Sequence, residues 1–282
     1  MTVPLAINYG LMILTSLVVA VLIRRRTGAP WRFFFMGAVT FILSQVLHIP
    51  FNALVNRAGL LPSAATTGGL LVVATFAGLS AGVFEETARY LTYRFWAKDA
   101  RSWARGLMLG AGHGGSEAIL LGLLGAINTF SLIAAAGNPT VMNALPPEQR
   151  QVVTEALAQI TALPPPMLLL GAVERVFAIA AHLAMSLLVL QVFLRRNVAW
   201  LFVSIGFHTA LNAVAVVAAA RLSAYATEAI VGVFAVLALV IIFRLRAPEP
   251  ETPQPPPLPP PAAAESLQLQ PSDDALDRSR YN

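Results

Sequence analysis

Seven long apolar runs, each closed off by polar or basic residues, set the pattern of this chain. They fall at about residues 3–23, 31–55, 69–95, 106–136, 167–194, 198–220 and 224–243. At about 1.5 Å rise per residue, a helix of about 20 residues crosses the ~30 Å hydrocarbon core of a bilayer. The pattern therefore predicts an all-α polytopic membrane protein, a bundle of seven transmembrane helices occupying residues 1–246. Two segments stand apart from the bundle. Residues 137–166 form a long connection bounded by Asn138-Pro139 and Pro164-Pro165-Pro166. Within it Val152, Val153, Ala156, Leu157 and Ile160 recur at helical spacing, which predicts a short amphipathic helix packing over the bundle. Residues 247–282 are proline-rich and then polar, and are expected to be a disordered cytoplasmic tail.

Composition agrees with a lipid environment, since 57% of residues are hydrophobic and only 12% are charged. Soluble domains carry about 25% charged residues. Cysteine is absent, which removes disulfides, thiolate ligands and cysteine nucleophiles. The formal charge of +5 would suggest nucleic acid in a soluble protein. Here the basic residues flank apolar spans, so no nucleic-acid partner is expected. One set of connections holds Arg24, Arg25, Arg26, Arg32, Arg94, Lys98, Arg101, Arg105, Arg195, Arg196, Arg244 and Arg246. The opposite set holds only Arg57, Arg150 and Arg221. The basic side is expected to be cytoplasmic, which puts the N-terminus outside and the C-terminus inside, in a bacterial cytoplasmic membrane. The first span has no basic residues before it and three arginines after it, as a retained helix would.

Ionisable residues inside apolar spans are costly and mark function. The third span carries Glu85, Glu86 and Arg89, and the fourth His113 and Glu117. The fifth carries Glu174, Arg175 and His182, and the sixth His208 and Asn212. Counting rise from the basic ends places Glu86 and His113 at about 12 Å, His208 at about 15 Å and His182 at about 18 Å. One shared polar layer accounts for this better than independent placement. His48, before Pro50, is expected to serve packing or a kink, and Glu174-Arg175 to form a structural ion pair or to line substrate access. Gly110, Gly112, Gly114 and Gly115 thin the fourth helix beside His113.

Imidazole and carboxylate without thiolate suit a divalent metal, zinc for preference, with one glutamate left to activate water. The His-Glu-x-x-His signature is absent, so the site would have to be assembled from four helices. The alternative without metal is Glu–His activation of water, with His208 and Asn212 stabilising an oxyanion. Between the paired acids, Glu85 stands i,i+4 from Arg89 and is expected to pair with it. That leaves Glu86 as the expected general base, since a carboxylate held by arginine is the poorer base.

These motifs, Glu85-Glu86-x-x-Arg89, Gly-His113-Gly-Gly-Ser-Glu117, Glu174-Arg175 with His182, and Phe207-His208-x-x-x-Asn212, resemble the YhfC family of intramembrane metalloproteases. That family is similar to the PrsW proteases and the type II CAAX-prenyl endopeptidases, the CPBP or Abi proteins. The resemblance implies a metal-dependent endopeptidase that hydrolyses membrane-protein or lipid-anchored substrates. By position, Glu85 and Glu86 match the paired acids, and His182 and His208 match the later histidines. His113 and Glu117 are an addition relative to the CAAX-prenyl pattern and resemble the YhfC form. Spacing and resemblance together point to Glu86, Glu85 and Asn212 for catalysis, and to His182, His208, His113 and Glu117 for metal. The wider superfamily includes a non-proteolytic subunit, so a membrane scaffold or chaperone subunit is the rival expectation. A haem protein would not need the paired acids, and a transporter would show repeated halves, which this sequence lacks.

Overall fold

The computed structural model describes residues 2–247, and the expectation for the proline-rich tail falls on residues outside these. The described residues are helical, with no strand among them. Seven long helices match the seven apolar runs: α1 (Thr2–Thr27), α2 (Trp31–Arg57), α3 (Thr67–Leu91), α4 (Trp103–Ala136), α7 (Leu170–Leu194), α8 (Ala199–Arg221) and α9 (Ala224–Arg244). All seven are long and apolar enough to cross a membrane. α3 runs on into a π-helical turn, Thr92–Trp96, and α7 is preceded by a 3-10 turn, Met167–Leu169. The long connection holds two short helices, α5 (Pro139–Ala144) and α6 (Pro147–Ala162). The second is the one expected; it lies against α4, and none of its residues is buried.

Local sequence sets the helix boundaries. Thr66, Ser102 and Ser223 cap α3, α4 and α9, each side chain accepting from a backbone N–H of the first turn. Gly28 and Gly59, at φ +72° and +65°, reverse the chain after α1 and α2, where a side chain would be strained. Apolar outer faces meet lipid, so the inner faces are held by close backbone approach and by polar contacts between helices. A Cβ on Gly112 would lie 1.8 Å from the carbonyl oxygen of Phe34, so only glycine lets α4 press on α2. A Cβ on Gly114 would lie 2.7 Å from the Cβ of His182, which seats α4 against α7 on its other side. Asn8 of α1 accepts from the Ala172 N–H at 2.8 Å, and Trp103 Nε1 donates to the Ile242 carbonyl at 2.9 Å. α7 is the most enclosed span, with 67% of its most apolar stretch buried. It packs against α1, α3, α4, α8 and α9, so polar side chains on it reach the middle of the bundle.

Candidate active site

The side chains assigned to one layer by helical rise do meet. His113 and His182 have ring centroids 5.1 Å apart, and His182 and His208 5.6 Å apart. Glu85, Glu86, Arg89, His113, His182 and His208 are all buried. The acids of α3 point to different neighbours, as the 100° between consecutive helical residues requires.

Glu86 faces α7 and α8. Arg89 Nη1 donates to its Oε2, as does Ser204 Oγ at 2.7 Å, and its Oε1 lies 3.0 Å from His208 Nδ1. This reverses the expected pairing. Arg89 holds Glu86 at i,i+3, not Glu85 at i,i+4. Both spacings permit an ion pair on a helix. The choice falls to the neighbouring helix, where Ser204 and His208 stand one turn apart and draw Glu86 toward α8. Three polar groups thus face the two oxygens of Glu86.

Glu85 faces α2 and α4. Its Oε2 lies 3.1 Å from His113 Nε2, and its Oε1 accepts from Gln45 Nε2 at 3.0 Å. Among the described residues no guanidinium pairs with it. The donation fixes the Gln45 amide, whose Oε1 is left to accept from His48 Nδ1 at 3.2 Å. His48 Nε2 then accepts from Asn52 Nδ2 at 2.9 Å. His48, expected to be a packing feature, is thus joined to Glu85 through one glutamine. Gln45 and Ser204 stand outside the sequence motifs. Gln45, His48 and Asn52 do recur as polar residues at i, i+3 and i+7 in an apolar span, which was the available signal.

On the other side, Glu117 accepts at Oε2 from His182 Nε2 at 2.6 Å and at Oε1 from Arg175 Nη1 at 2.7 Å. Arg175 Nη2 also donates to Glu174. The Glu174-Arg175 pair therefore adjoins the site, closer than the count along α7 implied. A cavity of about 90 Å³ opens among Glu85, Glu117, His182, His208 and Asn212. Glu86 does not line it.

Among the described residues, Glu85, His113 and His182 offer ligand atoms within 4.8 Å of one another. Two further observations fit a cation. His113 Nδ1 is buried without a hydrogen-bond partner, so one ring nitrogen has nothing to bond in either tautomer. The buried carboxylates Glu85 and Glu86 and the half-buried Glu117 also outnumber the guanidiniums Arg89 and Arg175, with Glu174 a further acid at the rim. In lipid such surplus negative charge calls for a cation or a proton. Of the other expected ligands, His208 meets Glu86 through Nδ1, and Glu117 meets Arg175 and His182; His182 Nδ1 in turn lies 3.2 Å from Arg89 Nη2.

Fold and site together define an integral membrane protein with a carboxylate–imidazole centre sunk between its helices. The chain belongs to the YhfC intramembrane metalloprotease family, whose model matches residues 11–235. It is 34% identical to the "Uncharacterized membrane protein YhfC" of Bacillus subtilis (strain 168), over 75% of this chain and 83% of the relative. No solved structure matches.

Proposed function

We propose that this protein is an intramembrane endopeptidase that hydrolyses peptide bonds of membrane-embedded or membrane-anchored proteins, with Glu85 as the carboxylate on which hydrolysis depends. The observation that carries this reading is the split of the paired acids. Glu85 lines the cavity beside His113 and His182, whereas Glu86 is sealed behind Arg89, Ser204 and His208. Glu85, His113 and His182 would hold a divalent ion, with zinc favoured by the donor set. Such an ion supplies a Lewis acid for the peptide carbonyl and eases deprotonation of water.

The chain's own groups account for the remaining work. Glu85 would hold the ion through one carboxylate oxygen only. With the other it takes the proton of the attacking water and returns it to the amine nitrogen as the C–N bond breaks, Gln45 steadying the group. Glu86 acts as a positioning residue. It fixes His208 through Nδ1 and leaves Nε2 as that ring's remaining polar atom. His208 carrying its second proton, with Asn212 one turn on, donates to the carbonyl oxygen as negative charge develops there. Glu117 holds His182 in orientation, the carboxylate–histidine support common around metal-ligating imidazoles.

The test is hydrolysis of a panel of fluorescent single-span peptides co-reconstituted in liposomes with the full-length protein. Cleavage should depend on added divalent metal and fall by about 10²–10⁴-fold in Glu85→Gln. Cleavage that continues unchanged in Glu85→Gln would overturn the assignment. A metal-loaded protein that cuts nothing in the panel would count against the protease reading itself.

A further inference from the structure

Away from the acid–histidine centre, α2 and α3 enclose a groove of about 500 Å³ lined by Leu43, Leu47, Val83, Phe84, Leu91 and Phe95 among others. Its size is that of a ligand pocket. The groove ends at the π-helical turn, where Ala97 N–H reaches back to the Thr92 carbonyl at 2.7 Å. That wider turn leaves Phe95 and Trp96 exposed, and π turns occur often at functional sites. Phe95 also lines a second pocket, of about 400 Å³, with Arg94, Lys98, Arg101 and Phe193.

The second pocket is cationic and uncompensated. Among the described residues no carboxylate lies within ion-pair distance of Arg94, Lys98 or Arg101. The nearby acid, Asp99, is taken up by Arg32 and Arg105. Arg101 is built in: it donates to the Tyr93 carbonyl at 2.9 Å and lies 4.4 Å over the Phe193 ring. Burial pushes its guanidinium below the usual arginine range, with Tyr93 and Asp99 acting the other way. An apolar trough that shares a side chain with a three-cation pocket is complementary to a chain with an anionic head.

We propose that this pair of pockets is a binding site for one anionic phospholipid, its phosphate at Arg94, Lys98 and Arg101 and an acyl chain between α2 and α3. The site is independent of the hydrolytic centre. Through Thr40–Thr92, hydroxyl to hydroxyl at 2.7 Å, it adjoins the α2–α3 seam that also carries Gln45 and Glu85.

The experiment is native mass spectrometry of the full-length protein released from mixed micelles of phosphatidylglycerol and phosphatidylcholine. One phosphatidylglycerol should be retained in preference. Arg94→Gln with Lys98→Gln should weaken retention roughly 25-fold, about fivefold for each juxtamembrane cation. Ala88→Leu, which fills the groove without touching charge, should also weaken it. Arg25→Gln with Arg26→Gln, exposed cations at the end of α1, should leave it unchanged. Equal retention of the two lipids would overturn the proposal. So would equal losses in the two double variants, since attraction would then belong to the whole basic face. Displacement of the lipid by millimolar inorganic phosphate would likewise overturn it, because the acyl groove would then contribute nothing.

Discussion

The roles of Glu85 and Glu86 turn on one step of helical rotation. Side by side in sequence, they look toward different helices, one onto imidazoles and a cavity, the other into an arginine, a serine and a histidine. The arginine makes Glu86 tolerable in the bundle. Arg89→Met should leave a buried carboxylate unpaired and cost about 3–5 kcal/mol. Thermal unfolding in detergent should show this as a large fall in midpoint or a loss of folded yield; an unchanged midpoint would mean that Glu86 is held by other means. Around Glu85 the supporting residue is Gln45. Gln45→Leu should weaken divalent-metal affinity by about 10–100-fold while the protein stays folded. Unchanged affinity in a metal titration would show that Gln45 does not support the site. Depth was legible at this scale, because rise per residue is fixed and the basic clusters mark the helix ends. Azimuth was not: i,i+3 and i,i+4 spacings both suit an ion pair, and only Ser204 and His208 on the facing helix decide which acid Arg89 takes.

At the scale of elements, α4 is the wedge that brings the histidines together. Its glycines let it lie against α2 on one side and α7 on the other, so that His113 and His182 come within ring contact. Gly112→Ala would drive a Cβ into the Phe34 carbonyl and should destabilise the protein by about 1–3 kcal/mol. Gly206→Ala, where a Cβ would meet nothing within 4 Å, should be neutral within about 0.5 kcal/mol. Equal shifts of the two variants in thermal unfolding would contradict the wedge. The seven spans were legible because charge in lipid is costly and arginine clusters punctuate the sequence. The glycine run beside His113 was legible as a place of close approach. The π turn after α3 was not, since it shifts hydrogen bonds by one residue without altering the apolar pattern. Nor was α5, six residues too short to leave a periodicity.

For the whole molecule, charge asymmetry predicts orientation and the buried cluster predicts chemistry. Reporter fusions after Arg57 and after Arg246 should report opposite sides of the membrane, the second one cytoplasmic. If both report the same side, the assignment of faces fails. The centre itself unites residues from α2, α3, α4, α7 and α8 that are far apart in the chain. Glu85 and His113, with His182, are proposed to form its metal-holding set. The most direct measurement is the metal content of full-length protein stripped with chelator, redialysed against zinc and analysed by mass spectrometry. The wild-type protein and Asn212→Ala should each carry about one equivalent, whereas Glu85→Gln and His113→Ala should lose most of it. A wild-type protein that takes up no metal, or Glu85→Gln and His113→Ala variants that keep a full equivalent, would contradict the account.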